Sequence, residues 1–161
     1  MSYPTAADFP TQYSGHAAGI EGLIAGDGET LSRIVVDGAS FGNPAWVDEG
    51  KDNLAYGTKG NATTPHLLGI FQRTQQHTNS DAGVGQPYAA KEVANIRSRG
   101  QIWVKVDRAV VSGQPAYLLG NVWTTVATGT SIKTPYIYRS STSAAGLALV
   151  EVFNAPASLA I

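Results

Sequence analysis

The side chains that could do chemistry are few and scattered. The histidines are His16, His66 and His77, and none stands at metal-ligand spacing from another histidine or from a carboxylate. An ordinary surface or loop role is expected for each. "GDGET" (26–30) offers acidic groups on a glycine turn. It lacks the alternating ligands and the closing glutamate of a calcium loop, so a turn is expected. Neither "GDG" nor "GASFG" has the glycine spacing or the lysine of a phosphate loop. Ser140, Ser141 and Ser143 lie in a loop-like composition, with no nucleophile elbow around them. Asp48, Glu49 and Asp52 cluster around Lys51 and read as a solvated turn. There is no cysteine, which removes thiol catalysis, thiolate metal sites and disulfides together. No catalytic residue, cofactor site or metal site is therefore expected.

One basic concentration remains, Arg97, Arg99, Lys105 and Arg108. If 88–99 is extended, Arg97 and Arg99 share a face. A salt-bridging surface is the ordinary reading, and docking onto an acidic protein surface is the functional one. Nucleic acid is not expected, because the formal net charge is −1. No apolar run reaches the ~18 residues that span a bilayer. The opening "MSYPTAADFPTQYSGHAAG" has neither the basic nor the apolar region of a secretory signal, so none is expected.

The elements that would carry these side chains are mostly strands. "GNPAWV" (42–47) and "GQPAYL" (113–118) are near copies, and "GQPY" (85–88) is a trimmed third. Glycine closes a tight turn, and proline suits the first residue of a strand. An aromatic residue then fits a pleated surface. Each copy reads as a turn followed by strand entry. "GIEGLIA" (19–25), "LSRIVVDG" (31–38) and the proline-led "PHLLGIFQ" (65–72) are further strand signals. "RTQQHTNSDAGVG" (73–85) reads as a long polar loop. "GQIWVKVDRAVV" (100–111) alternates clearly, with Ile102, Val104 and Val106 against Trp103 and Lys105. "GLALVEVFN" (146–154) puts Ala148, Val150 and Val152 on one face. "YAAKEVANIRSR" (88–99) suits either helix or strand, and the motif leading into it favours strand.

The first and last motif copies stand 71 residues apart, and Pro65 and Pro135 stand 70 apart. A duplicated β-meander would explain both offsets. So would two unrelated segments that solve the same turn problem. The middle copy breaks the offset, which excludes a solenoid array. Residues 1–19 show no periodicity. They are expected to form an extended N-terminal arm whose Tyr3, Phe9 and Tyr13 dock on a neighbour, or else a loose tail. Residues 20–161 are expected to form a single β-rich domain. Charged residues make up only 14% of the chain, against a usual ~25%. That suits faces packed against other proteins.

Taken in order, "AAGIEGLIA", "LSRIVVDGASFGNPAWV", "HLLGIFQR", "GQPYAAKEVANIRSRGQIWVKVDRAVVSGQPAYL" and "SAAGLALVEV" resemble the structural cement (capsid decoration) proteins of tailed bacteriophages. The resemblance runs from about residue 17 to the end. It implies an all-β protein: a compact β-barrel or jelly-roll-like domain that binds the outer surface of an assembled head. The implied partners are the major capsid protein and further copies of this chain, a trimer rather than a dimer. The implied location is the virion, after synthesis in the host cytoplasm. Catalysis is not implied. The residues expected to make the capsid or subunit contact are Tyr3, Phe9, Tyr13, Arg97 and Arg99. The competing reading is a non-enzymatic carbohydrate- or receptor-binding β module, with Trp46, Trp103 and Trp123 stacking on sugars.

Overall fold

A computed structural model describes residues 21–74 and 88–153. They form nine strands: β1 (Ile24–Val35), β2 (Pro44–Asp48), β3 (Leu54–Ala55), β4 (Pro65–Phe71), β5 (Val93–Val106), β6 (Pro115–Leu119), β7 (Val122–Thr124), β8 (Ile132–Tyr138) and β9 (Gly146–Val152). One 3-10 turn at Lys59–Asn61 is the sole helical element among the described residues. The all-β expectation holds, and 93–99 is strand.

The hydrogen bonds close two rings that share β5. In the second ring β5 pairs with β9, β9 with β8, β8 with β6, β6 with β7, and β7 returns to β5 in parallel. This is a closed β-barrel. In the first ring β5 pairs with β4, β4 with β2, and β2 bridges Tyr56 through Trp46. Tyr56 directly follows β3. β3 lies parallel to β1, and β1 runs antiparallel to β5. Closure removes free strand edges, which are sites of aggregation.

The same topology written twice establishes the duplicated meander. β1, β2, β3, β4 and the first half of β5 have the pairings of the second half of β5, β6, β7, β8 and β9. The correspondence reaches single bonds. Gly42 N donates to Phe71 O, and Phe71 N to Asn43 O, at 2.8 and 2.9 Å. Gly113 N donates to Tyr138 O, and Tyr138 N to Gln114 O, at 2.7 and 2.9 Å. The isolated bridges Ala39–Tyr88 and Val110–Thr142 correspond as well. Gly42 and Gly113 both hold positive φ, 79° and 96°, which is why the motif opens on glycine. The matching pair for β4 and β8 is Ile70 and Ile137, each opposite the motif proline. Pro65 and Pro135 are therefore not equivalents: Pro65 opens β4, whereas Pro135 lies inside β8.

Two expectations change. "GDGET" is no free-standing turn. It lies inside β1, where the register breaks between Ala25 and Gly28 and again between Glu29 and Thr30. Gly100 is no boundary either. β5 runs through it with φ 103°, so what read as two segments is one 14-residue strand. A single glycine was too weak a stop where both flanks had strand partners.

Each ring has its own core. Val35, Phe41, Phe71, Tyr88 and Ile96 fill the first, and Ile102, Val104, Leu118, Tyr138 and Val150 belong to the second. Trp46, Tyr56 and Ile70 come from first-ring elements yet pack into the second cluster. Trp123 ties the rings from the other side, its Nε1 donating to Gly42 O at 2.7 Å. The motif turn of one ring is thus held by an indole of the other.

Candidate functional site

The basic concentration divides at the middle of β5. Arg97 is buried, 3% exposed, whereas Arg99 faces solvent opposite Glu29. They do not share a face, because β1 pairs Glu29 with Arg99 and Thr30 with Arg97, leaving Ser98 as the extra residue of a bulge. Arg97 Nη2 donates to Gly26 O at 2.9 Å and to Ala25 O at 3.4 Å. Its Nε is buried without a partner. Burial pulls its pKa below the ordinary arginine value, and nearby Asp27 acts against that. Two glycines make room for the guanidinium. A Cβ on Gly28 would come within 2.5 Å of Arg97 Cζ, and one on Gly100 within 2.8 Å of Nη2. Arg97 therefore pins the bulge that "GDGET" makes.

Outside this lock lies an open groove of about 560 Å³, lined by Asp27, Glu29, Arg99, Glu151 and Phe153 among others. Glu151 is ion-paired with Arg139. A second groove of about 420 Å³ is lined by Glu21, Lys105, Asn121, Val122 and Trp123 among others. Burial raises the Glu21 pKa, with Lys105 and Arg73 opposing it. Neither groove brings a nucleophile against a base.

The acidic cluster at 48–52 is partly structural. Asp48 is 4% exposed. Its Oδ1 accepts from the Thr63 and Thr64 amides at 2.7 and 2.8 Å, and its Oδ2 from Lys51 Nζ at 3.0 Å. Burial alone would push its carboxyl up. Those donors, with Tyr56, outweigh burial and hold it below the ordinary range. Asp37 accepts from the Gly57 and Thr58 amides and from Asn61 Nδ2. The two carboxylates anchor residues 57–64 as a fixed loop. Sequence reading missed both roles. The signal was present as an aspartate in a turn pair, "DG", and one at a strand end.

Tyr3, Phe9, Tyr13, His16 and His77 lie outside the described residues. His66 is half-buried on β4. Trp46 and Trp123 are each 1% exposed, so neither offers a ring face to a sugar, and Trp103 is half-buried. Among the described residues no group of three His, Cys, Asp or Glu side chains could hold a metal ion. No described helix is long and apolar enough to cross a membrane.

Two rings with buried aromatics, anchored loops and open grooves make a scaffold for surfaces. Comparison with known proteins agrees. A family model described as structural cement protein (E217 gp24/Pam3 gp6) matches residues 9–153. This chain belongs to the structural cement protein family. In the solved capsid of Myoviridae phage XM1, one chain is 17% identical to this cement protein, with a TM-score of 0.63. The match covers 81% of this chain and 88% of that one, and it shows that the two share a fold. A search of curated proteins finds no match.

Proposed function

We propose that this cement protein binds the outer surface of an assembled phage head and clamps neighbouring major capsid protein subunits, with no catalytic activity of its own. The family match over residues 9–153 carries the reading. The closed rings and the low-charge sequence support it, since such a scaffold offers rigid protein-facing surfaces rather than a reactive cleft.

The energetics are those of mass action. A ligand that binds only the assembled shell stabilises it by RT ln(1 + [L]/Kd), about 4 kcal/mol at a thousandfold excess over Kd. Many copies on one head multiply that. An oligomer of this chain, a trimer before a dimer, would add avidity by touching several capsid subunits at once. The contact draws on the segment 1–19 through Tyr3, Phe9 and Tyr13, and on Arg99 at the rim of the first groove. Arg97 contributes from beneath, by fixing the bulge beside Arg99. The sugar-binding alternative is weakened by the burial of Trp46 and Trp123.

The test is the heat survival of purified heads that lack the protein, with and without saturating protein added. Survival at higher temperature supports a cement role. An unchanged survival curve at saturating protein contradicts it. Deleting residues 1–14 is expected to weaken binding to heads while leaving the β-type circular dichroism spectrum intact.

A further inference from the structure

Residues 1–20 precede Glu21, and the bonds around Glu21 fix where they leave the rings. Gly22 N donates to Trp103 O at 2.8 Å, and Trp103 N donates to Leu23 O at 3.0 Å. Ile24 and Ala25 pair antiparallel with Ile102 and Gln101. Followed backward from Gly22, the chain therefore heads along β5 toward Lys105. Arg73 holds this exit in place. Its N donates to Gly22 O at 2.7 Å, and its Nε donates to Glu21 O at 3.0 Å.

The same edge of β5 is taken again just beyond. Val106 pairs with Gly146 of β9 on one edge and in parallel with Trp123 of β7 on the other. β7 therefore lies on the edge that Gly22 uses. The groove of about 420 Å³ fills the gap between them, lined by Glu21, Lys105, Val122 and Trp123 among others. Trp123 O already accepts from Asp107 N at 3.2 Å, so the incoming chain cannot extend the ladder past Lys105. It has to lift off β5 at the groove. Val122 is 45% exposed at the rim, and Leu119, its partner on β6, is 44% exposed. The residues next to Glu21 are Ala17, Ala18, Gly19 and Ile20, all uncharged and either small or apolar.

We infer that this groove seats residues 17–20 of the same chain, with Ile20 against Val122. The volume sets how much of the segment is held. It falls at the low end of the ~300–1,000 Å³ of small-ligand sites, which is room for a few side chains. The seat therefore ends near Ala17 and leaves Tyr3, Phe9 and Tyr13 outside it. Covalent attachment decides between this chain and a second copy. A segment joined directly to the wall of its groove acts at an effective concentration of about millimolar, which a separate molecule in dilute solution does not match. On the cement reading, the seat fixes the point from which the three aromatics reach toward the head.

Chymotrypsin reads the seat without any heads, so the result is independent of the cement reading. Tyr3 and Phe9 are each followed by proline, which blocks cleavage, and Tyr13 is followed by Ser14. Cutting after Tyr13 requires the next few residues to enter the protease in extended form, which a seat at 17–20 opposes. Val122→Asp should therefore speed this cleavage at least fivefold while the circular dichroism spectrum stays that of the wild type. Ile20→Asp should do the same from the segment's side, and it carries the test if Val122→Asp fails to fold. Val111→Asp, at an exposed valine off the groove, should leave the rate unchanged. Unchanged rates in both groove variants overturn the seat. Equal acceleration by Val111→Asp also overturns it, since the effect would then be general loosening. Protection that rises with protein concentration, with a sedimentation mass that Val122→Asp lowers, overturns it in favour of a second copy's segment.

Discussion

Arg97 shows how a residue can be visible in the sequence and its place invisible. Its charge and its neighbour Arg99 suggested a shared exposed face. That inference assumed an unbroken period of two, and one extra residue in β5 breaks it. Arg97→Ala should cost about 2–4 kcal/mol in urea unfolding, from the cavity and from the Gly26 and Ala25 carbonyls left without a donor. A loss under 0.5 kcal/mol, within the range of ordinary surface changes, would mean that the bulge holds itself. Asp48 sets an acid limit. Its carboxyl sits below the ordinary range, so its contribution is present above an unfolded value of about 3.9 and is lost as pH falls through the lower folded value. Asp48→Asn should flatten the acid limb of a stability-versus-pH curve, and an identical limb would contradict the anchor role. At Tyr136 and Tyr138 burial prevails, and both phenols are held neutral well above their ordinary range. Stability should fall as pH rises beyond about 10, where unfolded tyrosines ionise. A near-UV titration should show these two phenols ionising only as the protein unfolds.

At the scale of elements, the sequence was legible wherever local chemistry and pairing agreed. The alternation at Ile102, Val104 and Val106 and the glycine–amide–proline turns at 42–44 and 113–115 appear in the structure as read, while Gly85, Gln86 and Pro87 of the third copy lie outside the described residues. What escaped was continuity across glycine. The break at 26–30 and the break at Gly100 face each other across β1 and β5, and each is tolerated because the other strand is there. No local window contains that information. The motif itself makes a graded prediction. Gly42 and Gly113 share positive φ, so alanine at either should cost about 1–2 kcal/mol in backbone strain. A Cβ on Gly113 meets nothing within 4 Å, whereas one on Gly42 would lie 2.6 Å from Glu21 Cγ. Gly42→Ala should therefore lower the melting temperature more than Gly113→Ala. The reverse order would contradict the crowding by Glu21 at Gly42.

For the whole molecule, the 71-residue offset between motif copies was the trace of a duplication, and six matched residues could not separate that from chance. The decision lay in the hydrogen bonds, which repeat when side chains no longer do. The two rings share β5, and Trp46, Tyr56 and Ile70 cross from one into the packing of the other. Unfolding should accordingly be one transition, with tryptophan fluorescence and far-UV circular dichroism coincident in urea. Two separated transitions would mean that each ring stands alone. A capsid role could not be read from any single residue, since no reactive constellation announces it. It emerged from ordered sequence blocks and from the family match over residues 9–153. The measurement closest to the central claim is co-sedimentation of the purified protein with mature heads that lack it. The account predicts saturable binding at a fixed number of copies per head. Protein that stays in the supernatant at every concentration would contradict it.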